Sequence, residues 1–446
     1  MIKSYKKFFI LESKQKKRIK KNIFSGISSE MTQILTQISF TPLMIYFWGI
    51  ENFGIWIFLL AIPNIFLIFN VNFNNAAINE MTIFNSNKNY KKTNEVFQNS
   101  VILVFLNLLF FLILFLFFYF FKQIEFSALK NVTTKEIVII LFLLIITICL
   151  NQLGTIFSSV LQSLGKLYII FYTSNIVDLI MKVSIGLSGF FFNSLVYPAI
   201  IYFIYHLLKF FIFFYFFLIH KKNIFFSFKY VSFRMIKRLF KLSIGHTAQL
   251  ASNVINHSGV IFILGVFYSP YIIGYIATVK TLFYFFPVRF FTKLNHILYF
   301  EIANLYAKKK YILLKNNFFN YLKLTTLFLF IFIAVSMIIG PFIYEFWTNN
   351  KYELNFTLLM LIIFNAFFFV IRHTVMSTFN AVNKNLLLGI IEIILILIVM
   401  SLFYLILYLN YSFLVGFSII LLGSIINLII SFSFLIFFFK KKIQYN

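Results

Sequence analysis

Seven cations stand inside apolar stretches of membrane-spanning length: Lys182, Lys209, Lys280, Arg289, Lys293, Lys323 and Arg372, against three carboxylates, Glu30, Asp178 and Glu392. A charge at the centre of a bilayer costs at least about 2.5 to 3.5 kcal/mol on insertion scales, so such residues pair, face water or meet a ligand. Lys293 and Lys323 lie close enough to one membrane surface to reach it by snorkelling. Lys209, Lys280, Arg289 and Arg372 are deeper, and Lys182 is within one turn of Asp178. A chamber with this sign of charge suits an anion, whose phosphate or carboxylate must exchange its hydration shell for charged donors. Pro287, between Lys280 and Arg289, is expected to kink its helix and open backbone groups there.

The uncharged polar residues form two stripes. Glu30, Gln33, Gln37 and Thr41 fall on one face of a first helix, and His246, Gln249, Asn253 and Asn256 repeat the pattern in a seventh. One stripe of this kind is explained by hydrogen bonding between helices. Two at equivalent places favour the lining of a water-filled cleft, since neither can face lipid cheaply. Asp178 and Lys182 are positioned to pair, and a structural and a functional salt bridge are equally compatible with that placement. Glu30 has no charged partner in its own helix. Desolvation would favour its protonated form, which suits a proton carrier, while a static hydrogen bond from a protonated Glu30 is an equally simple account. Glu30, Asp178 and Glu392 are therefore the candidates for coupling to an ion.

These residues need helices to hold them. With 61% hydrophobic residues and a mean hydropathy of +0.93, the chain cannot be a soluble globular protein, and helix-length apolar runs exclude an outer-membrane barrel. Each crossing takes about 20 apolar residues. That rule predicts twelve spans, at 23–47, 53–78, 97–121, 137–161, 168–190, 195–219, 242–267, 272–300, 318–346, 355–379, 386–408 and 412–438. The net charge of +27 is explained by where the basic residues fall: 28 of the 39 lie in alternate loops and the two tails, and four, Lys122, Lys130, Lys135 and Lys351, lie in the opposite loops. The positive-inside rule then places both termini in the cytoplasm, so the charge does not call for nucleic acid. The basic segment 1–22 is read as a tail at anionic lipid headgroups. It is not read as the start of a cleaved signal peptide, because the adjoining apolar stretch is too long and polar on one face.

The chain also repeats itself. Glu30, Gln33 and Gln37 recur as His246, Gln249 and Asn253; Gly54 recurs as Gly274; Glu80 and Tyr90 recur as Glu301 and Tyr311; and VLQSLGK ending at Lys166 recurs as TFNAVNK ending at Lys384. The offsets stay between 216 and 221. Six spans before a basic linker and six after it make parallel repeats, with the cleft between halves as the natural place for a substrate. The division expected is a tail at 1–22, a six-helix lobe at 23–220, a linker at 221–241, a second lobe at 242–438 and a tail at 439–446. The linker is a structural connection or an amphipathic interfacial helix.

Signatures of other chemistry are missing from the sequence. There is no GxxxxGK[ST] for nucleotide hydrolysis and no HExxH, and the six histidines show no metal-ligand spacing. Cys149 is the single cysteine, so no disulfide forms within one chain. No outward loop is long enough for an enzymatic domain, and no cofactor is expected.

The opening NIFSGISSEMTQILTQISFTPLMIYFWGIENFGIWIF resembles the polysaccharide flippases of the multidrug/oligosaccharidyl-lipid/polysaccharide (MOP) superfamily, notably the Wzx O-antigen type. LQSLGK at 161–166 and GYIATVK at 274–280 resemble features of the same family. The resemblance implies an all-α, MATE-like fold of twelve helices in two six-helix lobes, in the cytoplasmic membrane. It also implies alternating access and translocation of an undecaprenyl-diphosphate-linked oligosaccharide, with a polysaccharide polymerase and chain-length proteins as candidate partners. Lys280 carries over by motif as a substrate-binding cation. Two departures stand out: FNVNFNNAAINE replaces a glycine-containing end of the second span, and Glu30 stands where lipid II flippases usually carry arginine. A drug exporter of the same superfamily, expected to prefer an acidic cavity, and a membrane polymerase, expected to have a large external loop, are the alternatives.

Overall fold

The computed structural model describes residues 13–67, 73–86, 88–120, 126–221, 224–225, 229–382 and 384–444. Among them every regular element is a helix, because a segment in hydrocarbon must satisfy its own backbone. Among the described residues, eleven helices are long and apolar enough to cross a membrane. The twelve expected spans map onto these because the first two are separate helices that meet at a kink within Ser13–Phe66, at Gly49, whose φ of 75° is open to glycine at little cost. The second expected span also ends differently: helix is described to Phe66 and again over Phe73–Ser86. The ninth is shortened, with Tyr311–Ile338 followed by a separate short helix, Gly340–Trp347, that carries Pro341 in its first turn. Large side chains such as Phe190, Phe211, Phe342 and Phe346 are exposed, an apolar surface that requires lipid.

The chain divides into two compact units. The first comprises Met1–Leu43, Val71–Gln123 and Thr134–Ser243; the second comprises Met44–Asn70, Ile124–Thr133 and Ile244–Asn446. This grouping differs from a division at 221–241, since residues 44–70 pack with the second unit. The reason is a reciprocal close approach. A Cβ on Gly54 would overlap the carbonyl of Pro270, and one on Gly274 would meet Tyr352 and the carbonyl of Ile50. The repeat offset of 220 relates Gly54 to Gly274 and Ile50 to Pro270, so two equivalent helices cross at equivalent points.

The repeat is also visible in how helices end. Asn89 N donates to Phe84 O at 2.9 Å, and Lys310 N donates to Leu305 O at 3.0 Å. The preceding Lys88 and Lys309 have φ of 54° and 57°. Likewise Lys166 N donates to Leu161 O and Lys384 N to Phe379 O, both at 2.9 Å. Each pair closes a helix through a turn that satisfies a terminal carbonyl, at the offsets read from the sequence.

The linker is held to the first unit by amides on the helix Tyr90–Phe120. Asn94 accepts from Phe225 N; Gln98 donates to Phe225 O and accepts from Tyr230 N; Asn99 donates to Tyr230 O and accepts from Ser232 N. Arg238, near the start of the helix Phe233–Val254, pairs with the buried Glu80 at 2.9 Å. Side-chain amides here take the place of the backbone partners an irregular segment lacks.

Candidate functional site

The helices of the second unit that matter here are α1 (Phe233–Val254, whose last turns enter that unit), α2 (Pro270–Lys280), α3 (Phe356–Ala381), α4 (Leu386–Tyr408) and α5 (Phe413–Gln444). α1 is followed by a π-helical turn, Ile255–Gly259, and α2 by another, Thr281–Phe285, that precedes Pro287. Proline lacks an N–H and its ring crowds the carbonyl four residues earlier, so a widened turn at 281–285 relieves the clash. The expected break at Pro287 takes this form.

α3 and α4, each packed against α5, bring Arg372 to Glu392 at 2.5 Å, with 5% and 3% of their side chains exposed. No carboxylate lies in the span of Arg372 itself, and the next span supplies its counter-charge. Ser252 on α1 donates to Glu392 Oε1 at 2.9 Å, and the second carboxylate oxygen, Oε2, is buried without a protein partner. The guanidinium lies 4.9 Å from the centre of the Phe369 ring. Beside the pair is a cavity of about 30 Å³, lined by Ser252, Asn253, Asn256, Arg372, Glu392 and Asn427 among others. That volume suits a water molecule, not a substrate.

Lys280, at the end of α2, is buried. Its Nζ donates to the carbonyl of Asn256, inside the first π turn, at 3.4 Å, and lies 5.8 Å from the Tyr284 ring. Tyr284 sits in the second π turn and accepts from Asn256 Nδ2 at 3.5 Å. The two widened turns thus face each other through Lys280, Asn256 and Tyr284, and π turns present backbone carbonyls to outside donors. Among the described residues no carboxylate pairs with Lys280. His257 lies within electrostatic reach of both Lys280 and Arg289, and its Nδ1 is buried without a partner.

In the first unit the charges are arranged otherwise. Asp178 meets Lys209 at 3.0 Å, across the hairpin of Leu167–Phe191 and Val196–His220. Helical spacing places Asp178 beside Lys182, and the hydrogen bond Asp178 accepts from Lys209 comes from the neighbouring helix. Ser184 and Tyr205, 3.1 Å apart, fix the same register, and His206 meets Asn151 at 2.8 Å. Gln33 and Gln37 are half-buried on the first helix, where Ser29 donates to Asn175 at 2.8 Å. The side chains of Glu30, His246, Gln249 and Lys293 lie outside the described residues.

The structure therefore brings together Arg372, Glu392 and Asn253, links Lys280 to them through Asn256, and groups Asp178 with Lys209. It adds Ser252 and Tyr284 to the residues singled out in the sequence, together with Asn427, which stands alone in the apolar run IINLII, and Asn365, which accepts from Ser424 at 2.7 Å. Among the described residues no cluster of His, Cys, Asp and Glu could hold a metal.

No protein-family model matches the sequence, and no curated protein matches it significantly. Solved structures do. A multidrug-resistance MATE-family transporter of the MOP superfamily in an inward-facing conformation aligns with a TM-score of 0.65 at 12% identity, over 93% of this chain and 96% of that one. The fold is that of the MOP-superfamily transporters. The lipid II flippase MurJ, inward closed, aligns at 0.66 and 19% identity over 94% of this chain and 89% of that one. A MOP-superfamily transporter from Pyrococcus furiosus, described as having a binding pocket of reverse polarity, aligns at 0.62 and 11% identity over 96% of each chain. The expected all-helical MATE-like class is thus the fold observed, and the chain is a polytopic membrane protein.

Proposed function

We propose that the chain is a flippase that carries an undecaprenyl-diphosphate-linked oligosaccharide, an O-antigen or related polysaccharide repeat unit, across the cytoplasmic membrane by alternating access. The observation that carries the reading is Lys280: a buried ammonium, held by a carbonyl and an aromatic ring and not by a carboxylate, in a transporter fold. A diphosphate is the kind of group that replaces such weak partners with strong charge-assisted bonds. Arg289 acts on His257, as Lys280 does, and is proposed to add to the cationic field there. Arg372 contributes through its pair with Glu392, and Lys182 and Lys209 act in the first unit, with Gln33, Gln37, Gln249 and Asn253 meeting sugar hydroxyls. The fold shared with a lipid II flippase supports this reading, and so does a relative in fold whose pocket polarity is described as reversed.

If an ion drives the cycle, Asp178, paired with Lys209, Glu392, paired with Arg372, and Glu30 are the proposed coupling groups. Both termini and the linker are placed in the cytoplasm, and a polysaccharide polymerase and chain-length proteins are the proposed partners. The multidrug transporter of the same fold keeps a small-molecule exporter as the second reading. Expression in a strain lacking its O-antigen flippase separates the two. Restored surface polysaccharide with unchanged drug susceptibility supports the flippase; raised resistance to lipophilic cations without polysaccharide supports the exporter.

A further inference from the structure

A large cavity in the second unit lies away from the Arg372 site, at the ends of α3 and α5 and the start of α4. It encloses about 460 Å³ and is walled by Phe379, Leu387, Leu388, Phe434, Phe437 and Phe438. Three lysines, Lys384, Lys441 and Lys442, complete the lining, and no acidic residue does. Phe437 is 65% exposed and Leu387 56% exposed, so the apolar wall opens onto the surface that faces lipid.

Among the described residues, two of the lysines are held in place by rings, not by counter-ions. Lys384 Nζ lies 5.6 Å from the Phe438 ring, and Lys442 Nζ lies 5.6 Å from Tyr306 and 5.5 Å from Tyr311. Lys384 is further fixed by the turn in which its amide donates to Phe379 O at 2.9 Å. Cation–π contacts orient an ammonium without neutralising it. A pocket so built offers an acyl chain an apolar wall and offers a phosphate three donors at the level of the headgroups, the arrangement by which basic pockets between transmembrane helices take acidic lipids.

We propose that this pocket binds an anionic glycerophospholipid of the leaflet on the basic side of the membrane, one phosphate at Lys384, Lys441 and Lys442 and one chain along Phe434, Phe437 and Leu387. A free phosphate would leave the apolar wall unused, and a zwitterionic lipid would bring its own cation to three lysines. The site does not depend on what the protein transports.

The test is native mass spectrometry of the full-length protein, released from detergent after equilibration with equimolar phosphatidylglycerol and phosphatidylcholine. The expected result is one retained phosphatidylglycerol, enriched about tenfold over phosphatidylcholine. The triple variant K384Q/K441Q/K442Q should lose the enrichment, and K384R/K441R/K442R should keep it. The control K88Q/K91Q/K92Q removes the same charge from exposed residues of the first unit and should leave the enrichment intact. Equal loss in both glutamine triples would show attraction by net charge alone and overturn the site. So would retention in K384Q/K441Q/K442Q, or a wild-type protein that holds both lipids equally. Glycerol 3-phosphate at millimolar concentration should not displace the lipid, and displacement would mean a phosphate site without a chain. Should the glutamine triple aggregate, L387W, which fills the apolar wall and leaves every lysine, must by itself lower retention.

Discussion

In the first unit Asp178 and Lys209 meet at 3.0 Å with 26% and 17% of their side chains exposed, while in the second Arg372 and Glu392 meet with 5% and 3% exposed. Each pair joins two helices, and the second adds a hydroxyl donor, an aromatic ring under the cation and a water-sized cavity. A partly exposed pair can open with little penalty, because solvent or a ligand can take over either charge. A buried pair is far harder to open, since each charge would be stranded in low dielectric. Among the described residues Arg372 has Glu392 as its partner and Lys280 has no carboxylate, a difference that supports the proposal that Lys280 meets the ligand.

Breaking the buried pair one partner at a time should give the largest effect. Arg372→Ala strands Glu392 and is expected to destabilise the purified protein by about 3–5 kcal/mol, seen as a large drop in melting temperature in detergent. The double variant Arg372→Met with Glu392→Leu should recover most of that loss. If the double is as unstable as the single, the pair is not what holds α3 to α4.

The crossing of repeated helices is next. Gly54→Ala and Gly274→Ala each push a methyl into backbone or a tyrosine hydroxyl, so each should cost about 1–3 kcal/mol by overpacking. Unchanged melting of either variant would contradict the reciprocal contact. The smallest effect is expected at the open pair. Asp178→Asn leaves Lys209 partly solvated and should cost about 1 kcal/mol or less. A loss as large as that of Arg372→Ala would erase the distinction between the units.

How far the sequence alone reveals these features varies by residue. The spans are legible because a bilayer imposes a length and an apolar composition that little else shares. The repeat is legible where backbone geometry forces it, as at the turns closing on Lys166 and Lys384. For the ion pairs, spacing within one helix does not reveal Lys209 or Glu392 as partners. Asp178 and Lys209 stand at equal sequence distance from the 192–195 turn. A hairpin brings such residues level, so the signal for that pair is present in the spacing across the turn. The π turns leave a weaker trace: Pro287 marks one, and nothing in INHSG at 255–259 distinguishes a π turn from an α turn. The grouping of residues 44–70 with the second unit is hidden because Gly54 and Gly274 reveal their contact only when both helices are placed.

Lys280 carries the central claim, and stability and transport together test it most directly. A buried ammonium without a carboxylate partner gives the fold little, so Lys280→Met should melt at or above the parent temperature. The same variant, reconstituted in vesicles with a lipid-diphosphate-linked oligosaccharide, should lose flipping, and Lys280→Arg should keep part of it. Full flipping by a well-folded Lys280→Met protein would contradict that role, because the anion would then have to be held elsewhere.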